Sequence, residues 1–339
     1  MTIPSAPTGP APAALPPREA YRAAAARTRA WLDAHFDASG ACVLDPADPR
    51  YYYKAPYLLA LAGLRAKGAR VARYVRERLL DGDGHLTGPA AFGADQRVYA
   101  MGWLTYGAVA TERFDLAGVL ADRLTVLQDA VTGGFLLPDA DAGGPVAEVC
   151  FSAGAGMGLA AAGRREPARR LADRLVTVLD AQEARPRYYN RFRGDGTLVE
   201  RPAPGAWPKL YDLDLDEQRP ANFATVVLAL VWTARATGER RYVGAAARYV
   251  DLVYRHRLDP ARFGRATKFG YAMLQLYDET GDPQLLDRAR HLGDVLVSQQ
   301  DADGLWAPRP LTGATPAPFE RLSAAADCAC TIFGLAGLP

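Results

Sequence analysis

Four carboxylates crowd six positions of this chain, Asp212, Asp214, Asp216 and Glu217, a few residues ahead of the apolar run that starts at Phe223. Like charges this close repel, so one of them is a candidate for a raised pKa and for a proton to give. Asp95 adds another acid, and Tyr99 and Trp103 follow it at i+4 and i+8. That spacing puts a carboxyl, a phenol and an indole on one helical stripe. A neutral carboxyl in a dry, aromatic-lined cavity suits protonation of an alkene or epoxide. Two carboxylates far enough apart to admit water suit hydrolysis. The plainer alternatives are a solvated helix cap for the acidic run and an N-cap above two core aromatics for Asp95.

Other polar and aromatic side chains stand at the heads of apolar segments. Tyr51, Tyr52, Tyr53 and Tyr57 cannot all point into a core at helical spacing, so some of them are expected at a pocket mouth. Arg97, Glu148, Cys150, Asn222, Phe223 and Trp232 join Tyr53, Tyr57, Tyr99 and Trp103 as candidate pocket residues. Arg265 and Lys268 form a cationic pair suited to a carboxylate or phosphate. Helix capping explains each of these polar residues singly. Their recurrence at every buried helix points to a common site.

Several chemistries drop out. His35, His85, His256 and His291 fall on exposed helices or in a turn, and none pairs with Cys150 as a thiol nucleophile would need. Cys328 and Cys330 lack the Cys/His partners of a zinc site, and the acids of the 212–217 run alternate with leucine rather than forming a calcium loop. No P-loop and no Gly-x-Gly-x-x-Gly occurs, so neither cofactor nor metal is expected. A net charge of +2 without basic runs argues against nucleic acid as a partner. Four cysteines without a framework spacing read as reduced thiols, and no apolar stretch is long enough to span a membrane. A cytoplasmic protein with a small-molecule substrate is expected. The rich use of Ala, Arg, Gly and Pro is associated with GC-rich bacterial genomes.

The positioning elements are helices. Residues 1–17 form a Pro/Ala-rich tail, and residues 18–339 read as one domain. Amphipathic, arginine-rich helices are expected near 19–36, 69–80, 113–129, 164–182, 240–256 and 284–300. Nearly all-apolar helices with many small residues are expected near 54–66, 95–110, 147–162, 220–236, 263–279 and 320–335. Six alternating exposed and buried pairs make an all-α (α/α)6 barrel, with strand-like alternation essentially absent. Short glycine joints lead from each buried helix to the next exposed one, at Lys67-Gly68, Thr111-Glu112, Gly163-Arg164, 237–242 and 280–285. Longer loops return at the other end, which makes that end the functional face.

Those longer loops carry Gln300, Gly304 and Trp306 in Gln-x-x-x-Gly-x-Trp spacing, with a degraded copy at Gln128, Gly133 and Phe135. In this the chain resembles the terpene-cyclase and prenyltransferase superfamily, whose QW motifs share that pattern. Asp214-Leu215-Asp216-Glu217 is similar to the Asp-x-Asp-Asp of class II terpene cyclases, with Glu in place of the last Asp and Gln218-Arg219-Pro220 before the apolar run. The resemblance implies Asp216 as general acid, with Asp214 and Glu217 holding its proton. It implies a cofactor-independent cyclisation of a small, largely apolar natural product. A hydrolase or lyase for a sugar or polyketide ring, with Asp95 paired to Asp214 or Asp216, is the alternative, and a non-catalytic binding barrel the next.

Overall fold

The computed structural model describes residues 17–87, 92, 94–139, 142–200, 210–212, 221–255, 261, 268–307 and 318–338, with only the backbone at 94, 95, 210–212 and 221. Six inner helices form a closed ring. They are α2 (Ala55–Leu61), α4 (Ala94–Ala110), α6 (Val149–Ala161), α8 (Ala221–Thr237), α10 (Phe269–Thr280) and α12 (Pro318–Ala336). Each packs on the next, and α12 returns to α2. Their apolar sequences demand cover on all sides: every residue from Val149 to Ala160 is buried. Glycines let the walls approach, since a Cβ on Gly102 or Gly158 would strike the backbone of the facing helix.

The outer layer holds α1 (Pro17–His35), α3 (Arg65–Arg78), α5 (Phe114–Leu127), α7 (Arg165–Asp180), α9 (Arg241–Arg255) and α11 (Pro283–Gln299). Five of these back the inner helix that precedes them in sequence, while α1 backs α12 and so seals the ring. One face of each is buried, as with Tyr242, Ala246, Tyr249 and Val253 of α9. This is the (α/α)6 barrel that alternation of exposed and buried helices predicts.

Two details differ from the sequence reading. The first inner helix ends at Leu61 rather than near 66, because Gly63, not Gly68, takes the left-handed turn at φ 73°. Short strands also occur: β1 (Val146–Glu148) pairs antiparallel with β3 (Arg191–Arg193), and β2 (Arg187–Tyr189) with β4 (Leu210–Asp212). Three-residue strands inside loops are too brief to register as alternation.

The glutamine loops tie outer helices together. Gln300 Nε2 donates to Ala24 O, Thr28 Oγ1 and Gly304 O, and its Oε1 accepts from Arg27, so the loop after α11 is fastened to α1. Gln128 does the same halfway round, donating to Gly133 O and Pro167 O and accepting from Arg170 of α7. Among the described residues no helix is long and apolar enough to cross a membrane.

Candidate functional site

Lys54 is the N-cap of α2 and Lys268 the N-cap of α10, and neither side chain caps its helix. A cation at a helix N-terminus opposes the macrodipole, so both lysines sit where local preference disfavours them. Asp327 supplies the reason. Lys54 Nζ donates to its Oδ1 at 2.6 Å and Lys268 Nζ to its Oδ2 at 3.3 Å, one carboxylate shared by two ammonium groups. Lys54 also reaches Ser323 Oγ at 3.4 Å, and the Tyr53 hydroxyl lies 2.8 Å from the same oxygen.

The cluster is deep. Asp327 is the tenth residue of α12, and Trp103 is the tenth of α4. At about 1.5 Å per residue the lysines therefore lie roughly 14 Å below the heads of those two helices. Among the described residues α2 begins at Ala55 and α10 at Phe269, level with the middle of α4 and α12. The end of the barrel above the lysines, between those two helices, is termed the recess. Lys54 Nζ lies 5.1, 5.8 and 5.5 Å from the ring centroids of Tyr53, Tyr99 and Trp103, a three-sided aromatic wall. Phe92 packs on Tyr53 and Phe151 on Tyr99. The lysine side chains retain 5% of their exposure, whereas Asp327 retains 18%, so solvent meets the cluster on its carboxylate side.

Burial alone would drive the Lys54 ammonium toward neutrality, but the Asp327 carboxylate more than offsets this and holds its pKa above the ordinary value. Lys268 is raised by the same balance. Asp327 mirrors them: burial would raise its pKa, and Lys268 with Lys54 brings it below the usual carboxylate range. All three are charged at neutral pH. The Cys150 thiol beside them is pushed up to about 12, by burial first and by Glu148 next, so it stays neutral. Among the described residues no group of three His, Cys, Asp or Glu is placed to hold a metal ion.

Beneath the recess the barrel axis is filled. Tyr57 from α2, Trp103 and Tyr106 from α4, Trp232 from α8 and Tyr271 from α10 meet there. Tyr57 lies 4.7, 5.7 and 5.9 Å from Tyr106, Trp103 and Tyr271, and Tyr106 lies 5.0 Å from Trp232. The hydroxyls of Tyr106 and Tyr271 approach to 3.4 Å. Except for half-buried Trp232, these residues are at most 5% exposed.

The structure gathers part of the candidate set. Lys268, Tyr53, Tyr99, Trp103 and Cys150 belong to the recess and its wall, and Tyr57 lies in the plug below. Glu148 caps α6, its Oε2 accepting from the Phe151 amide at 2.6 Å. Asn222 is buried at the head of α8, and Arg97 is half-buried on α4. Phe223 packs on Tyr188 of β2 and Tyr249 of α9. Tyr51 and Tyr52 are buried as well, because Pro49–Tyr51 is a 3-10 turn rather than α-helix; Tyr52 turns outward to donate to Pro46 O and to accept from the Cys42 amide. Asp214, Asp216, Glu217 and Arg265 lie outside the described residues, as does the side chain of Asp95. Lys54, Ser323 and Asp327 were not among the candidates. A lone carboxylate within the Ala-Ala-Ala-Asp-Cys-Ala-Cys run of an apolar helix was their signal, since a buried charge requires a partner.

No family model and no curated protein sequence matches the chain. Solved structures do match its fold. An unsaturated glucuronyl hydrolase specific for heparin superposes with a TM-score of 0.62 at 12% identity, over 94% of this chain and 95% of that one. D-mannose isomerase gives 0.63 at 14%, over 95% and 99%. The type II terpene cyclase MstE from Scytonema, in complex with geranylgeranyl dihydroxybenzoate as substrate, gives 0.60 at 14%, over 95% and 99%. The shared property is the (α/α)6 toroid. Hydrolase, isomerase and cyclase all stand on it, so the likeness fixes architecture and leaves the reaction to the site.

Proposed function

We propose that this chain is an enzyme for a compact, polar ring-shaped substrate, working by carboxylate general acid–base catalysis as a hydrolase or lyase. The aromatic plug of Tyr57, Trp103, Tyr106, Trp232 and Tyr271 carries this reading. It packs across the axis below Lys54 and Lys268, which favours a recess with a charged floor over a long apolar tunnel. The ring faces of Tyr53, Tyr99 and Trp103 suit stacking against a sugar or polyketide ring.

The acid and base are assigned to Asp95 and to Asp214 or Asp216, with Glu217 beside them. Asp95 precedes Tyr99 by four residues on α4, and the acidic run leads from β4 to the head of α8. Proton-initiated cyclisation is the second reading, supported by the same aromatic faces, which stabilise cations. Against it stands the charge at the floor, because Lys54, Lys268 and Asp327 are ionised and a hydrocarbon substrate calls for an apolar lining.

Turnover assays with glycosides and uronides, small polyketide lactones and prenylated aromatic acids separate the two. Turnover of a compact ring is expected, reduced by about 100-fold or more in Asp95→Asn and Asp216→Asn while circular dichroism stays unchanged. Turnover confined to prenylated substrates would transfer the assignment to the cyclase.

A further inference from the structure

We propose that Lys268, with Lys54 behind it, docks a singly charged carboxylate group of the substrate. This rests on the recess being the substrate site, and adds the chemical class of what enters it. An ammonium group has three donors. Lys54 directs two of them, to Asp327 Oδ1 and Ser323 Oγ. Lys268 directs one, to Asp327 Oδ2 at the longer distance of 3.3 Å, and among the described residues it meets no other acceptor. Among the described residues two N–H donors of a side chain that is 95% buried therefore stay unfilled, a state costly enough to call for an acceptor.

The charge balance selects the acceptor. Two ammonium groups face one carboxylate, an excess of one positive charge among the described residues of the cluster. Cys150 does not neutralise it, because burial first and Glu148 next push its pKa up to about 12 and keep it a neutral thiol. A monoanion brings the cluster to neutrality, whereas a phosphate dianion would leave it with one negative charge in excess. Lys268 is the N-cap of α10, and a helix N-terminus favours an anion. A carboxylate also fits the fork between two ammonium groups as Asp327 already does. Asp327 thus acts as a positioning residue: it fixes both lysines and leaves room for one more negative charge.

The test uses the full chain, with acetate as probe against acetamide, inorganic phosphate at pH 8 and chloride at matched ionic strength, read as the shift in Tm. Acetate should raise the wild-type Tm, with acetamide weaker by about tenfold or more in apparent affinity. Lys268→Met should abolish the acetate effect while remaining folded, since it leaves Lys54 and Asp327 as a neutral pair; Lys268→Gln replaces it if the Met variant does not fold. Asp327→Asn should lower Tm, and acetate should recover more of that loss than chloride does. An acetate shift equal to that of chloride, an acetate shift retained in Lys268→Met, or a larger shift with phosphate would each overturn the proposal. None of these outcomes touches the compact-ring reading, which rests on the plug and on turnover.

Discussion

Lys54 Nζ lies 2.6 Å from Asp327 Oδ1, although 273 positions separate the two residues in the chain. The contact joins the first inner helix to the last, so one ion pair both closes the ring and forms the floor of the recess. Stability and site chemistry meet in Asp327.

Removing Asp327 should therefore be severe. Asp327→Ala leaves two buried ammonium groups without a counterion, and an uncompensated buried charge typically costs about 3–5 kcal/mol. Urea denaturation should show a loss of that order, and Lys268→Met a much smaller one. The pH dependence follows from the shifts. Asp327 has its pKa depressed below 3.8, so its contribution is present above that pH and fades on acidification through the folded value. Lys54 has its pKa raised above 10.5, so its contribution is present below that pH and fades as the solution becomes more alkaline than the folded value. Between those limits the cluster should contribute a constant amount. A wild-type profile that changes in step with an Asp327→Asn profile across both limits would contradict this.

The four thiols should be silent in the folded protein. Cys42, Cys150, Cys328 and Cys330 are buried and unpaired, and burial raises the pKa of each, to about 12 for Cys150 and Cys330. Thiolate is the reactive form. A disulfide reagent at pH 8 should label none of them natively and all four after unfolding in denaturant. Fast native labelling of Cys150 would mean that the recess is wider than its walls indicate.

Gln300 and Gly304 should behave as structural residues whose loss leaves chemistry intact. Gln300→Ala removes a donor shared by three acceptors and the acceptor for Arg27, with an expected cost of about 1–3 kcal/mol. Gly304→Ala should cost more. Its φ is +80°, and the added Cβ would lie 2.6 Å from Arg27 C and 2.8 Å from Thr28 N, both backbone atoms of α1. Calorimetry should rank the two variants in that order, and kcat below their melting range should match wild type.

The helices were legible because each carries its own signal. Arginine-rich amphipathic stretches such as α9 and small-residue apolar ones such as α6 declare their layer through local pattern alone, and the glycine joints mark most of the boundaries. The boundary of α2 was misplaced because Gly63 and Gly68 are equal candidates until one is seen in the left-handed conformation. The site was legible only in part. Lys268 drew notice as half of a cationic pair, and Tyr99 and Trp103 through their i+4 spacing. Asp327 and Lys54 did not, because their meaning lies in each other, and nothing local reports a contact between the two ends of a ring. The density of the acidic run drew attention to 212–217 and away from a single aspartate among alanines.

The seam between α1 and α12 sets the order of events in folding. Inner and outer helices up to α10 and α11 can pair with sequence neighbours as they emerge, with small loops to close. The ring itself closes only when α12 settles between α10, α1 and α2. Loop-closure entropy makes that long-range step the late one. Until then Lys54 and Lys268 wait in half-built walls without their shared counterion. The recess should thus be the last part of the molecule to mature, and a chain arrested before residue 327 should hold much of its helix and none of its site.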